Sequence, residues 1–101
     1  MSEAAVQMDD AGELRLSGVL DYRTGPQLRE QGQALIKASK AAAVVVDCSA
    51  VEKSSSVGLS LLLCFMRDAQ AAGKALSIRG MPEDMREIAQ VSELTELLAH
   101  P

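Results

Sequence analysis

Apolar and polar residues alternate in two short segments near the start of the chain, residues 6–8 and 14–16. The polar stretch between them, residues 9–12, ends in a glycine and is typical of a hairpin turn. An unbroken apolar run at residues 41–46 predicts a strand that is covered on both faces, and Ala75–Arg79 has a similar character before Gly80 stops it. The pattern thus predicts four strands, of which the first two are antiparallel.

Helical periodicity begins soon after the second of these strands. Apolar residues then recur at helical spacing up to Ser39, so we expect a helix that starts at Tyr22 or Thr24. Asp21 or Thr24 is a suitable N-cap, and Pro26 falls in the first turn, where proline is tolerated.

Two further helices are predicted in the second half of the chain. Residues 57–72 are apolar on nearly every side of a helix and are followed by Gly73, a common helix terminator. The last helix starts within residues 81–84, with Pro82 in its first turn and acidic residues where the helix dipole favours them. Its expected inner stripe consists of Met85, Ile88, Ala89 and Val91. A short terminal turn with Leu94, Leu97 and Leu98 is expected to continue it.

The element order β-β-α-β-α-β-α predicts an α/β fold. Strand, helix, strand units require right-handed crossovers and place the later strands parallel, so we expect a small mixed β-sheet packed with helices. The length of 101 residues fits one domain.

Composition and charge narrow the classes of partner. Apolar residues make up 48% of the chain but aromatic residues only 2%, so there is no aromatic platform on which bases could stack. The net charge of −4 opposes binding to a phosphate backbone or to anionic lipid headgroups. We therefore expect no nucleic-acid partner.

The chain also lacks the patterns of secreted and membrane-spanning proteins. Residues 1–10 carry acids and no basic cluster, which does not match a secretory signal. The longest strongly apolar run, residues 57–66, is about half of the roughly 20 residues that a membrane helix needs. We expect a cytoplasmic protein without direct membrane insertion.

Residues with catalytic or metal-binding chemistry are sparse. The one histidine, His100, has no partner at the spacing of a catalytic triad or a metal site, and no glycine-rich loop resembles a nucleotide cradle. Cys48 and Cys64 form no CxxC motif and are expected to be buried, reduced thiols. We expect neither an enzyme nor a cofactor.

The middle of the chain resembles the signature of STAS domains. Residues 44–51 read VVVDCSAV, residues 54–59 read SSSVGL, and three leucines follow at 61–63. In this family a central strand ends in an aspartate, here Asp47, a loop follows, and a serine or threonine starts a helix ahead of a Gly-Leu pair. The resemblance extends over nearly the whole chain and implies a single STAS domain, residues 1–101.

STAS domains include bacterial anti-sigma factor antagonists and small cytoplasmic subunits of lipid-transporting ABC systems. The chain is most similar to the MlaB-type subunits, on the strength of its length, of residues 14–21 (LRLSGVLD) and of the leucine-rich second helix. This resemblance implies a non-catalytic accessory subunit in phospholipid trafficking and outer-membrane lipid asymmetry. Its expected partner is an ABC transporter ATPase and, through it, a membrane permease. The alternative is an anti-sigma factor antagonist that serine phosphorylation switches.

The resemblance also points to Ser56. This position is a phosphorylated serine in sigma-regulating members and usually a threonine in the transporter subunits. The chain departs from the family pattern on both sides, because Ser55 replaces the acid that usually precedes the position and Val57 replaces a frequent glycine. The missing acid counts against a kinase switch.

We therefore predict a docking face around the start of the second helix. A serine there also has a purely structural interpretation, because its side chain can cap the helix. Arg67 and Asp68 are candidates for a charged rim, and Val57, Leu61 and Met66 are either apolar anchors or core. The residues predicted to contact a partner or to regulate binding are Glu52, Lys53, Ser54, Ser55, Ser56, Val57 and Arg67.

Overall fold

The seven helices and strands follow one another in the predicted order. In the computed structural model, which describes residues 4–9 and 11–91, the order is β-β-α-β-α-β-α. The elements are β1 (Ala5–Met8), β2 (Glu13–Leu20), α1 (Gly25–Ala38), β3 (Ala43–Ser54), α2 (Ser56–Ala71), β4 (Ala75–Arg79) and α3 (Glu83–Val91). The expected terminal turn at Leu94, Leu97 and Leu98 lies outside the described residues.

The four strands form one mixed sheet in the order β1-β2-β3-β4. β1 and β2 are antiparallel, with Val6 opposite Leu16. β2, β3 and β4 are parallel, so that Leu14, Val46 and Ile78 form a row across the sheet. Parallel neighbours need crossover connections, which α1 and α2 supply. The α/β class and the mixed sheet are confirmed.

One face of the sheet carries the hydrophobic core. Leu14, Leu16 and Leu20 of β2 point to this face, where the three helices contact one another and the strands. Phe65 of α2, the one phenylalanine of the chain, is fully buried there. The other fully buried large side chains are Leu28, Ile36, Leu62, Met85, Val44, Val46 and Cys48.

The opposite face of the sheet is polar, which corrects the prediction that the strand in residues 41–46 is covered on both sides. Val44 and Val46 face the helices, whereas Val45 is half-buried on the outer face. None of the three described helices packs on that face. A run of valines is compatible with a strand that is covered on one face and with a strand that is covered on both. The sequence pattern therefore did not distinguish these two cases.

β3 is longer than predicted. The resemblance implied that the strand ends at Asp47 and that a loop follows, but the strand continues to Ser54 because β2 runs beside it, with Gly18 opposite Val51 and Leu20 opposite Ser54. Two register shifts interrupt this pairing. Glu52 and Lys53 are exposed and polar, so the local sequence pattern does not indicate a strand here. Pairing with β2 and the burial of Val51 and Ser54 keep the segment extended.

α1 and α2 pack closely because of a glycine. A Cβ atom on Gly32 of α1 would overlap the ring of Phe65 on α2. Both residues are buried, so the absence of a side chain at position 32 sets the distance between the two helices.

Candidate docking surface at the start of α2

The three consecutive serines occupy three different environments. Ser55 is the N-cap of α2, with extended backbone, and its hydroxyl accepts a hydrogen bond from the Val57 N–H at 3.2 Å. Ser56 is the first helical residue and is exposed. Its hydroxyl forms no hydrogen bond to another residue within 4–9 and 11–91. The capping role thus belongs to Ser55, and the Ser56 hydroxyl faces solvent.

Ser54 lies beneath the surface. Its N–H donates to Oδ2 of Asp84 in the first turn of α3, at 3.1 Å, and its hydroxyl donates to the Ser55 carbonyl at 2.8 Å. A Cβ atom on Gly58 would overlap the Ser54 hydroxyl. Ser54 therefore joins the end of β3 to both following helices.

The charged candidates lie on two elements, β3 and α2. Glu52 and Lys53 are exposed at the end of β3. Arg67 is exposed on α2, eleven residues after Ser56, which places it on the same helix face about 16 Å further along the axis. The expectation that Asp68 forms part of the rim is wrong, because its side chain turns toward α1 and only 8% of the residue is exposed.

Asp68 occupies a position between α1 and α2. Its Oδ1 accepts a hydrogen bond from the Gln33 side chain at 3.3 Å. Its Oδ2 is buried and has no partner among the described residues. No local pattern indicates this burial, because an Arg-Asp pair near the end of a helix is typical of an exposed face.

The turn between β2 and α1 lies directly beside the serines. The Ser55 N–H donates to the Leu20 carbonyl at 3.0 Å. Asp21 organises the turn, and its Oδ1 accepts from the backbone N–H groups of Arg23 and Thr24. The hydrogen bond from the Arg23 side chain, and after it the one from the Arg23 backbone N–H, lowers the pKa of Asp21 below its ordinary value. Thr24 is the N-cap residue of α1, but its hydroxyl donates to the Val19 carbonyl of β2 at 2.9 Å and does not cap the helix.

A groove separates the first turns of α1 and α2. It has a volume of about 420 Å³ and its lining is almost entirely apolar. The predicted anchors Val57 and Leu61 both line the groove, but Leu61 is a core residue that is only 3% exposed, and the wall formed by α1 was not predicted. The lining residues are Tyr22, Gly25, Pro26, Arg29, Val57, Ser60, Leu61 and Cys64.

Tyr22 stands at the mouth of this groove. It is 76% exposed, and the Arg23 guanidinium lies 5.8 Å from the centre of its ring. The spacing of Pro26 and Arg29 is the signal that could have revealed the wall, since residues three or four apart share one helix face, and Tyr22 lies in the turn just before them. Of the other candidate anchors, Met66 is buried in the core.

The two free cysteines differ in environment. Cys48 is fully buried in the core, and burial, together with the nearby negative charge of Asp47, raises the pKa of its thiol to about 12. Cys64, which we also expected to be buried, is half-buried and lines the groove.

Two structural features are absent from the residues that the structure describes. No helix there is long and apolar enough to cross a membrane. No group of three or more His, Cys, Asp or Glu side chains that could hold a metal ion occurs in the same part of the chain.

Solved structures from two functional groups resemble this fold. One chain of the Acinetobacter MlaFEDB complex in its ATP-bound Vtrans2 conformation matches with a TM-score of 0.81 and 26% identity, over 96% of this chain and 99% of that chain. An anti-sigma factor antagonist from Mycobacterium paratuberculosis has a TM-score of 0.77 and 24% identity, over 100% of this chain and 86% of that one. The phosphorylated form of the Bacillus cell fate determinant SpoIIAA has a TM-score of 0.66 and 21% identity, over 93% and 86% of the respective chains.

The family assignment rests on a sequence match that is longer than the signature around Ser56. The model of the family described as "Mlab, STAS domain" matches residues 4–99, which include every strand and helix of the fold. The chain belongs to this STAS-domain family.

Proposed function

We propose that this protein is a non-catalytic accessory subunit of an ABC transporter that moves phospholipids and maintains outer-membrane lipid asymmetry. The whole chain, residues 1–101, acts as a single STAS domain in the cytoplasm. It binds the ATPase subunit and, through it, associates with the permease at the inner membrane. The observation that carries the proposal is the similarity to a chain of the MlaFEDB complex over 96% of this chain and 99% of that one.

The surface at the start of α2 supports a docking role. It offers the exposed Ser56 hydroxyl, an apolar groove one residue away and the exposed Arg67 on the same helix face. Protein interfaces combine apolar anchors with a polar rim in this way. We place the ATPase contact on this surface.

A second candidate function is that of an anti-sigma factor antagonist. The similarity to phosphorylated SpoIIAA favours it, as does the exposed hydroxyl of Ser56 in the first turn of α2, where free N–H groups and the helix dipole stabilise a phosphate. The serine at position 55, in place of an acid, counts against it.

A tagged pull-down from detergent-solubilised cells tests the function and the surface together. Wild type is compared with Ser56→Glu and with a control, Ser77→Glu, in which the same charge is added at an exposed serine of β4. We expect wild type and Ser77→Glu to recover an ABC ATPase with its permease, as identified by mass spectrometry. Ser56→Glu should recover about tenfold less, since charge added to a docking face weakens binding.

The other outcomes are equally informative. Recovery of soluble kinases or anti-sigma factors alone would establish the second candidate in place of the first. Equal recovery of the ATPase by all three proteins would leave the function intact and remove Ser56 from the contact.

A further inference from the structure

The groove beside Ser56 is built from two parallel rows of residues. Tyr22, Pro26 and Arg29 form the row at the start of α1, and Val57, Leu61 and Cys64 form the row on α2. Pro26 and Arg29 lie three positions apart on one face of α1, with Tyr22 in the turn before it, and the α2 residues are three or four positions apart on one face of that helix. The floor is shallow because the helices approach closely, and a Cβ atom on Gly25 would lie 2.7 Å from Val57 Cγ1.

The length of the groove matches two turns of a helix. Val57 and Cys64 are seven residues apart, or about 10 Å along the axis of α2. A partner helix that binds in a groove contributes side chains at i, i+3 or i+4, and i+7, over the same distance. The apolar lining favours aliphatic or aromatic side chains at those positions.

The charge at the rim of the groove indicates which charge a contacting residue of the partner would carry. The protein as a whole has a net charge of −4, yet the charged side chain that lines this groove is Arg29. Arg29 is exposed and forms no ion pair with a carboxylate of residues 4–9 or 11–91, whereas the neighbouring Arg23 pairs with Asp21 at 3.1 Å. A carboxylate on the partner would complement Arg29.

We propose that the groove receives an amphipathic helix of the partner ATPase, with apolar side chains between Tyr22 and Val57 and an acidic residue opposite Arg29. The inference rests on the proposed function and adds the chemistry of the contact. It makes α1, and not only the serine-bearing end of α2, part of the interface.

Cys64 provides a direct measurement of groove occupancy. Its thiol lines the groove, whereas Cys48 is enclosed in the core and serves as an internal control. The protein is treated with N-ethylmaleimide alone and with saturating purified ATPase, and modification of each cysteine is followed by peptide mass spectrometry. We expect the ATPase to slow modification of Cys64 about tenfold or more, corresponding to at least ~90% occupancy of the groove.

Charge reversal tests the partner's acidic residue. Arg29→Glu should weaken ATPase binding about tenfold, whereas Arg86→Glu, the same reversal at an exposed position of α3, should leave binding unchanged. Both variants keep the core intact, and their circular dichroism spectra check that they fold.

The outcomes separate the inference from the function on which it rests. If the ATPase binds but Cys64 reacts at its free rate, or if Arg29→Glu binds as tightly as Arg86→Glu, the groove proposal is overturned and the transporter function stands. Protection of Cys64 by phosphatidylethanolamine and phosphatidylglycerol vesicles, with none from the ATPase, would also overturn it. If no ATPase is bound, both proposals fail.

Discussion

At the scale of single residues, the junction between β3 and α2 assigns a separate role to each of its three serines. Ser54 is buried and bonded to α3, Ser55 caps α2, and Ser56 is left exposed. The stability of the junction therefore depends on two serines, while the third is available for contact or modification.

Ser55→Ala is expected to lower the free energy of unfolding by about 1 kcal/mol, because the Val57 N–H loses its side-chain acceptor at the start of α2. Urea denaturation followed by circular dichroism measures the change. Ser56→Ala is the matched control and should alter stability by less than about 0.5 kcal/mol. An equal loss in both variants would show that capping is not specific to Ser55.

The sequence limited the cap to these serines but did not identify which one. The N-cap is the residue at which extended backbone ends, and its position depends on how far along the chain β3 stays paired with β2. The pairing of Leu20 with Ser54 fixes the last strand residue, so that the cap falls on Ser55. This pairing joins residues 34 positions apart, and the local pattern does not contain it.

At the scale of helices and strands, the contact between α1 and α2 brings the backbone of one helix against an aromatic ring of the other. Gly32 faces Phe65 without a side chain, and both are buried. The same packing holds the two rows of the groove at their spacing.

Gly32→Ala should destabilise the protein by up to about 2 kcal/mol. Alanine gains about 1 kcal/mol of helix propensity, but the added methyl group overlaps the Phe65 ring, and overpacking of this kind costs about 1–3 kcal/mol. Chemical denaturation measures the loss, with the exposed neighbour Gln31→Ala as control.

A double-mutant cycle checks the physical cause. In a Phe65→Leu background the smaller side chain leaves room for the methyl group, so Gly32→Ala should cost less there than in wild type. The same cost in both backgrounds would show that the ring is not the obstacle.

The sequence predicted the positions of the helices well, but it did not predict which helix residues are exposed. The expected bounds of α2, residues 57–72, are one residue from the observed Ser56–Ala71. The half-exposed Cys64 and the buried Asp68 both depend on where α1 packs across α2, which periodicity within one helix does not specify.

At the scale of the whole molecule, charged side chains connect three strands across the outer face of the sheet. Arg15, Asp47 and Arg79 are opposite one another on β2, β3 and β4. Arg79 Nη2 lies 2.7 Å from Glu13 Oε1 and 3.6 Å from Asp47 Oδ2. Asp47 is the one member that is buried.

Asp47 should contribute to the loss of stability in acid. Hydrogen bonds from the side chain and backbone N–H of Ser49, aided by the positive charge of Arg79, lower its pKa below the ordinary 3.8. A carboxyl group whose pKa is lower in the folded state stabilises the fold fully above pH 3.8, and this contribution declines as the pH falls below that value.

Urea unfolding at neutral pH and at about pH 3 measures this contribution. Asp47→Asn should lower the free energy of unfolding at neutral pH by about 1 kcal/mol. On acidification, this variant should lose less stability than wild type does. Glu87→Gln, at an exposed position of α3, serves as control and should lose as much as wild type. Identical acid profiles for Asp47→Asn and wild type would remove Asp47 from the explanation.

The strand order has a consequence for how the protein is made. Because β1, β2, β3 and β4 are adjacent in the same order in which they occur along the chain, each described strand joins the edge left by the one before it. No strand has to enter between two that are already paired. A ribosome releases the chain from its N-terminus, so the sheet can grow during synthesis, one strand at a time, with each helix closing over the strand that precedes it.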